Sequence, residues 1–358
     1  MKKLLLATSI LAGTAGMAAA EITLSGDARM GFLDDFVFDD GPDDIGFTSR
    51  ARVTFTFSGE TDGGLAFGAS FRADNSSGAS EGEAGSVFIG GAFGKISMGD
   101  VDGAALAAVG HVDGVGLTGL GDRNESAFIA NGGLDDDDLN DFDIVDEENT
   151  TLTDDPSVLY EFTTGNVGLF ASVTNPGHVT DWDFFGLAAA DVEVEGEAWA
   201  LGANYTMDAF KLGIGYEDLQ VDEIGGPAGF DADHIFVGAD GTFGAFTARV
   251  RYGTADVSLF DGVGASADIE LDQWSLSGTY AMDAISVTGF YANRDFTLPT
   301  ALQVVDNVAE VDTIGLGASY DLGGGASVVG GIVDSEETYG DGTSASDTAF
   351  DLGVSFSF

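Results

Sequence analysis

The sequence predicts an all-β chain, a 16-stranded antiparallel transmembrane β-barrel. Three observations carry that expectation. Residues 350–358 alternate strictly, with Phe350, Leu352, Val354, Phe356 and Phe358 on one side and Asp351, Gly353, Ser355 and Ser357 on the other. A strand has period two, so one face is apolar and its reverse small and polar. A soluble sandwich strand shares this pattern, but here the outermost residue is an aromatic that nothing follows to cover. Second, 44% of residues are hydrophobic although the chain carries 61 acidic and only 12 basic ones. No apolar run of about 18 residues follows the first segment, so alternation disperses the apolar content and helical spans are excluded. Third, 54 glycines against five prolines suit many strands joined by tight turns.

The chain begins with Lys2 and Lys3, an apolar run from Leu4 to about Ala12, and then Ala18, Ala19 and Ala20. A positive start, an apolar core too short to span and an A-x-A site mark residues 1–20 as an export signal cleaved before Glu21. Residues 21–358 are expected to form one barrel.

Within it, short turns and long connections succeed one another. The short turns are Thr61 to Gly64, Ala92 to Gly94, Thr164 to Asn166, Met207 to Ala209, Thr242 to Gly244, Met282 to Ala284 and Asp321 to Gly325. Their Gly, Asp and Asn residues tolerate positive φ or bond back to the backbone. Longer connections are expected near 37–45, 76–83, 101–156, 176–195, 219–231, 257–267, 294–309 and 335–347. Seven short and eight long connections join an even number of strands, with both termini on the short-turn side. A propeller shares the spacing but needs a blade motif that the sequence lacks. The apolar phases include Val53, Phe55 and Phe57; Leu201, Ala203 and Tyr205; Phe210, Leu212 and Ile214; Trp274, Leu276 and Tyr280; Ile314, Leu316 and Tyr320. Aromatics gather beside the short turns (Phe57, Tyr205, Phe210, Phe246, Tyr280, Tyr320, Phe358), as at a membrane boundary.

On these phases Arg29, Arg50, Arg52, Arg72, Lys95, Lys211, Arg249, Arg251 and Arg294 all fall on the polar face. An arginine facing lipid near the midplane costs about 2–4 kcal/mol, which accounts for inward placement. It does not account for clustering. Arg29, Arg50, Arg52 and Arg72 lie on three consecutive strands and are expected to form the basic side of a constriction, with structural ion pairing as the alternative. Arg249 and Arg251 are a further basic pair in the lumen. The acidic side is expected in the 101–156 connection, which carries 15 acidic residues, including Asp102, Asp113, Asp122, Glu125 and the run Asp135 to Asp138. A loop so long inside a compact domain is commonly functional. Its Val109–Ile129 portion is apolar enough to pack on an inner wall. Folded into the lumen as a constriction loop, it would set carboxylates against arginines. One facing pair at about 8 Å contributes only about 0.5 kcal/mol in water, but several together make a transverse field.

Other chemistry finds little support. The chain has no cysteine, so it has no disulfides and no thiol chemistry. So acidic a chain is a poor match for nucleic acid, whose phosphates require Lys and Arg. His111, His178 and His234 sit beside no nucleophile motif; each is expected to be an exposed polar group, and no enzyme is expected. Asp136, Asp138, Asn140 and Glu147 echo the spacing of a calcium loop, but Asp141 stands where that motif needs glycine. No cofactor is required. A looser calcium site among these carboxylates is the one candidate, against a solvated acidic run.

The segment Glu21-Ile-Thr-Leu-Ser-Gly-Asp-Ala-Arg-Met-Gly31 resembles the mature start of the general diffusion porins of alphaproteobacteria. So do Ser58, Gly59, Thr61 and Asp62, then Gly91-Ala-Phe-Gly-Lys-Ile96, Met98-Gly-Asp100, Tyr320-Asp-Leu-Gly-Gly-Gly-Ala326 and the terminal Phe358. The resemblance is strongest at the two ends and weak in the loops. It implies a homotrimer of outer-membrane barrels, each with its third external loop folded inside as an eyelet. Arg29, Arg50, Arg52 and Arg72 match its basic side, and Asp113, Asp122 and Glu125 fall in the loop that supplies its acidic side. Residues 132–150 depart from the pattern, being longer and more acidic; relatives can bind calcium at loop carboxylates. The expected partners are outer-membrane lipid and lipopolysaccharide, small hydrophilic solutes and ions, and further copies of the chain. The expected function is passive diffusion with moderate cation preference. A solute-specific sugar or anion channel, and a closed barrel serving as scaffold or adhesin, are the alternatives.

Overall fold

The computed structural model describes residues 21–34, 45–81, 84–129, 157–174, 178–184, 187–224, 229–260, 266–299 and 308–358. The export signal expected at 1–20 lies outside these residues, as does the stretch holding Asp136, Asp138, Asn140 and Glu147.

The strands are β1 (Glu21–Asp34), β2 (Gly46–Glu60), β3 (Ala66–Arg72), β4 (Ser86–Gly91), β5 (Gly94–Gly99), β6 (Ser157–Thr164), β7 (Val167–Thr174), β8 (His178–Phe184), β9 (Leu187–Met207), β10 (Phe210–Ile224), β11 (Gly229–Phe243), β12 (Phe246–Phe260), β13 (Ser266–Met282), β14 (Ile285–Thr297), β15 (Val308–Gly323), β16 (Ala326–Tyr339) and β17 (Ser344–Ser357). Every neighbouring pair is antiparallel. β7 pairs directly with β9, while β8 pairs only with the early part of β9, outside the ring. β17 closes on β1 from Asp27↔Ser357 to Asp34↔Phe350, so 16 strands make a closed barrel.

The expected short turns fall where hairpins form. Asp208 and Asp283 take positive φ (50° and 54°) in two of them, a conformation Asp tolerates better than most residues. Outward phases also hold: Val53, Leu201, Leu212, Ile214, Trp274, Leu276, Ile314 and Leu316 are exposed on one side of the wall. Phe358 remains 74% exposed, its backbone paired with Gly26 and its ring stacked on Phe356.

The long connections differ from expectation. β10 continues to Ile224 and β11 starts at Gly229, so most of 219–231 is strand; β12, β13, β16 and β17 likewise extend into the ranges read as loops. The cause is chemical. Above the lipid belt the outer face meets water, so Asp218, Asp233, Asp256 and Glu270 replace apolar residues while backbone pairing continues. Apolar alternation signals lipid contact, and it stops before the strand does.

Two short helices, α1 (Ser76–Glu81) and α2 (Ala104–Val109), lie outside the wall sequence. The buried apolar residues are not a core between sheets. They form where the 101–129 segment meets the inner face: Ala104, Ala105, Ala108, Val109, Phe128 and Ile129 against Ala198, Ala200, Leu219, Val221 and Phe236. A second cluster joins Val112, Val115 and Leu120 to Phe290, Ala292, Val333 and Ala349.

Candidate functional site

The 101–129 segment is bound to the wall along its whole course, on the face opposite the exposed apolar residues. At its start, α2 lies on a glycine floor. A Cβ on Gly202 would stand 2.2 Å from the Ala104 carbonyl oxygen, and one on Gly215 would stand 2.5 Å from the Ala105 Cβ. The Ser172 hydroxyl accepts the Ala104 N–H at 2.9 Å, and the Asn204 amide donates to the Ala108 carbonyl at 3.3 Å.

The segment then crosses to the far side of the ring. Ser277 Oγ accepts the Asp113 N–H at 3.0 Å, and Thr279 donates to the Asp113 carboxylate at 3.0 Å. At the tip, one oxygen of Asp351 on β17 accepts the Leu117 and Thr118 N–H groups at 2.7 Å each and the Thr118 hydroxyl at 2.9 Å. Its other oxygen takes the Gly331 N–H at 3.0 Å. Four donors on one buried carboxylate make a strong anchor. The outgoing limb is held by Arg294, which donates to the Glu125 carbonyl at 2.8 Å, and by Glu217 and Gln273, which bond Ile129 and Ala127.

Arg29 and Arg50 stand directly opposite on β1 and β2, with Arg52 opposite Asp27 and Arg72 opposite Thr54. The four expected arginines therefore share one sector. Arg50 pairs with Asp27 at 3.1 Å, while Arg52 and Arg72 share Asp74 at 3.5 and 3.6 Å. Arg29 reaches the Leu117 and Thr118 carbonyls at 3.4 Å each. Arg249 pairs with Asp113 at 3.2 Å. Arg251 is 1% exposed and donates to the Gly110 and His111 carbonyls and to Asp240.

The acidic trio is brought together. Asp113, Asp122 and Glu125 line a cavity of about 420 Å³ with His111, Val112, Gly114, Val115, Gly116, Gly119, Asn124 and Arg249. His111 is not the exposed group expected. Its Nδ1 accepts the Ser126 N–H at 3.0 Å, which requires a neutral ring, and its Nε2 lies 3.4 Å from Glu125. Burial, then Arg294 and Arg251, push its pKa down to about 4. His234 likewise is buried, because its strand phase points it beneath the segment. Asp351, Glu217 and Gln273 were not singled out by sequence. The available signal was their position on the inward phase, among Gly and Ser, where a long polar side chain needs a partner.

Among the described residues no cluster of three or more His, Asp or Glu side chains could hold a metal ion.

A family model described as Gram-negative porin matches residues 7–354. A porin from Rhodobacter capsulatus is 36% identical over 349 residues, covering 94% of this chain and 100% of that protein. A porin from Fuscovulum blasticum is 25% identical over 351 residues, with 94% and 100% coverage. A porin structure refined at 1.8 Å superposes with a TM-score of 0.72 at 34% identity, covering 94% of this chain and all of that one. An anion-selective porin from Comamonas acidovorans covers 95% of this chain and 100% of its own, with a TM-score of 0.61; at 16% identity that likeness is one of fold.

Proposed function

The chain belongs to the Gram-negative porin family, and from that premise we propose that it admits ions and small hydrophilic solutes by passive diffusion through a water-filled lumen. It is an outer-membrane barrel and not an enzyme. The observation that carries the finer reading is the inner segment, fastened at its start, tip and outgoing limb around a polar cavity of about 420 Å³. Such a segment narrows the lumen without needing a cofactor or a moving part.

The charge around that cavity supports cation preference. Three carboxylates, Asp113, Asp122 and Glu125, line it against one guanidinium, Arg249. His111 adds no charge, since its Nδ1 is an acceptor. Much of the arginine sector is matched locally by Asp27 and Asp74, so its field at the cavity is reduced.

A homotrimer is supported by wall height. β4 and β5 have six residues each; six tilted residues rise only about 14 Å, against an apolar belt of about 25 Å. The exposed Phe67, Val87, Ile89, Ile96 and Met98 mark that low sector, where neighbouring copies would complete the wall. Surrounding lipid and lipopolysaccharide remain the expected outer contacts.

Liposome swelling tests the reading of solute class. Vesicles carrying the purified protein should swell in small sugars and amino acids, at rates falling smoothly with solute size. Uptake of one solute far above others of its size would instead favour a solute-specific channel.

A further inference from the structure

Three inward side chains on strands that are not all neighbours form one continuous polar row. Glu217 on β10 and His234 on β11 are register partners, and His234 Nδ1 lies 2.8 Å from Glu217 Oε2. Beyond His234 comes β12, where Gly253 stands opposite Phe236 and next to Gln273 of β13. A Cβ at Gly253 would lie 2.6 Å from His234 Nε2 and 2.3 Å from the Phe236 ring. The missing side chain opens the way across β12, and Gln273 Nε2 reaches His234 Nε2 at 3.2 Å. Glu217, His234 and Gln273 are 0%, 1% and 2% exposed.

Both ends of the row hold the same stretch of inner segment. Gln273 grips Ala127 twice, accepting its N–H at 2.9 Å and donating to its carbonyl at 2.8 Å. Glu217 Oε2 accepts the Ile129 N–H at 2.9 Å. Between them Phe128 is fully buried, edge-on to Phe236 at 4.6 Å and to His234 at 5.9 Å. The bonds also fix every orientation. The Ala127 N–H assigns the Gln273 oxygen, so its NH₂ faces His234 Nε2. That nitrogen accepts, leaving Nδ1–H to donate to Glu217.

We propose that Glu217, His234 and Gln273 are positioning residues, a latch that holds the outgoing limb and thereby sets where Glu125 and Asp122 stand around the cavity. Glu125 is two residues from Ala127, too few to absorb movement of the limb without shifting its carboxylate. The latch rests on reading the cavity as the channel constriction.

The chain contains no cysteine, so Ala127→Cys supplies a single reporter on the limb itself, at a position 3% exposed. In folded, purified protein a water-soluble thiol reagent should label it slowly. Combined with Gln273→Leu, which removes both bonds to Ala127, labelling should quicken at least about tenfold. Gln273→Glu keeps the size but sets a carboxylate oxygen against the Ala127 carbonyl and His234 Nε2. It should do the same, and covers the case in which Gln273→Leu fails to fold. In planar bilayers, the two Gln273 variants alone should show noisier open-channel current and a shifted reversal potential. Labelling at the parental rate with unchanged noise and reversal potential would overturn the latch, while parental conductance would leave the channel reading standing. Absence of parental conductance would sink both.

Discussion

Asp351 shows how one side chain fixes the inner segment. Its carboxylate gathers two segment N–H groups, a hydroxyl and a β16 N–H. Asp351→Asn keeps the shape but turns an NH₂ toward some of those donors. We expect it to weaken docking of the tip by about 2–4 kcal/mol, seen as proteolytic cleavage near 116–120 that the parent resists. His111 makes docking pH-dependent with a definite sign. Buried beside Glu125, Arg251 and Arg294, it has its pKa lowered from 6.5 to about 4. Above pH 6.5 the ring is neutral whether docked or not, and its contribution is complete. As pH falls the undocked ring takes a proton that the docked ring refuses, so docking weakens until about pH 4. At about 1.4 kcal/mol per pH unit the loss approaches roughly 3 kcal/mol. Hydrogen exchange of residues 111–126, followed from pH 7 to 4, should show that slope, and His111→Asn should flatten it.

Elements were legible to the extent that lipid wrote them. The β10 and β13 phases, Leu212–Ile214 and Trp274–Leu276, were plain because each outward residue must be apolar. The Asp-containing turns at 208 and 283 were plain because positive φ restricts composition. Strand ends above the membrane were not, since Asp233 and Asp256 on a wet outer face read as loop. β8 was missed because it lies in the range 176–195 read as a connection and pairs only with the early part of β9, outside the ring. Within the site, strand phase brought out the arginine sector and loop length the acidic connection, while the choice of Asp113, Asp122 and Glu125 within it came from the resemblance. The contacts could not be read: Asp74 between Arg52 and Arg72, or Gly253 beneath His234, depend on which strands adjoin and at what register. The glycine floor under α2 yields a test at this scale. Gly202→Ala places a methyl against the Ala104 backbone, which should lift the helix at a cost of about 1–3 kcal/mol. The thermal midpoint should fall, and the channel current of the variant should differ from the parent.

At the scale of the molecule, a formal charge of −49 is less informative than its placement. Among the described residues, Asp218, Asp233, Asp256 and Glu270 lie on strand extensions, away from the cavity. In the proposed function the set that bears on permeation is the one around the cavity, where three carboxylates meet one guanidinium. Arg249→Ala should therefore raise cation preference further. Asp113→Asn should lower it, although Asp113 also binds Ser277 and Thr279. A reversal potential measured across a salt gradient checks both; equal potentials for the two variants would contradict this placement. Pairing of β17 with β1 closes the ring, and the low β3–β6 sector gives copies a place to meet. Single-channel recording of the purified protein in planar bilayers bears most directly on the central claim. A passive, segment-narrowed pore predicts ohmic steps whose reversal potential carries the cation sign in a potassium chloride gradient. Absence of ohmic steps, or their block by micromolar solute, would contradict it.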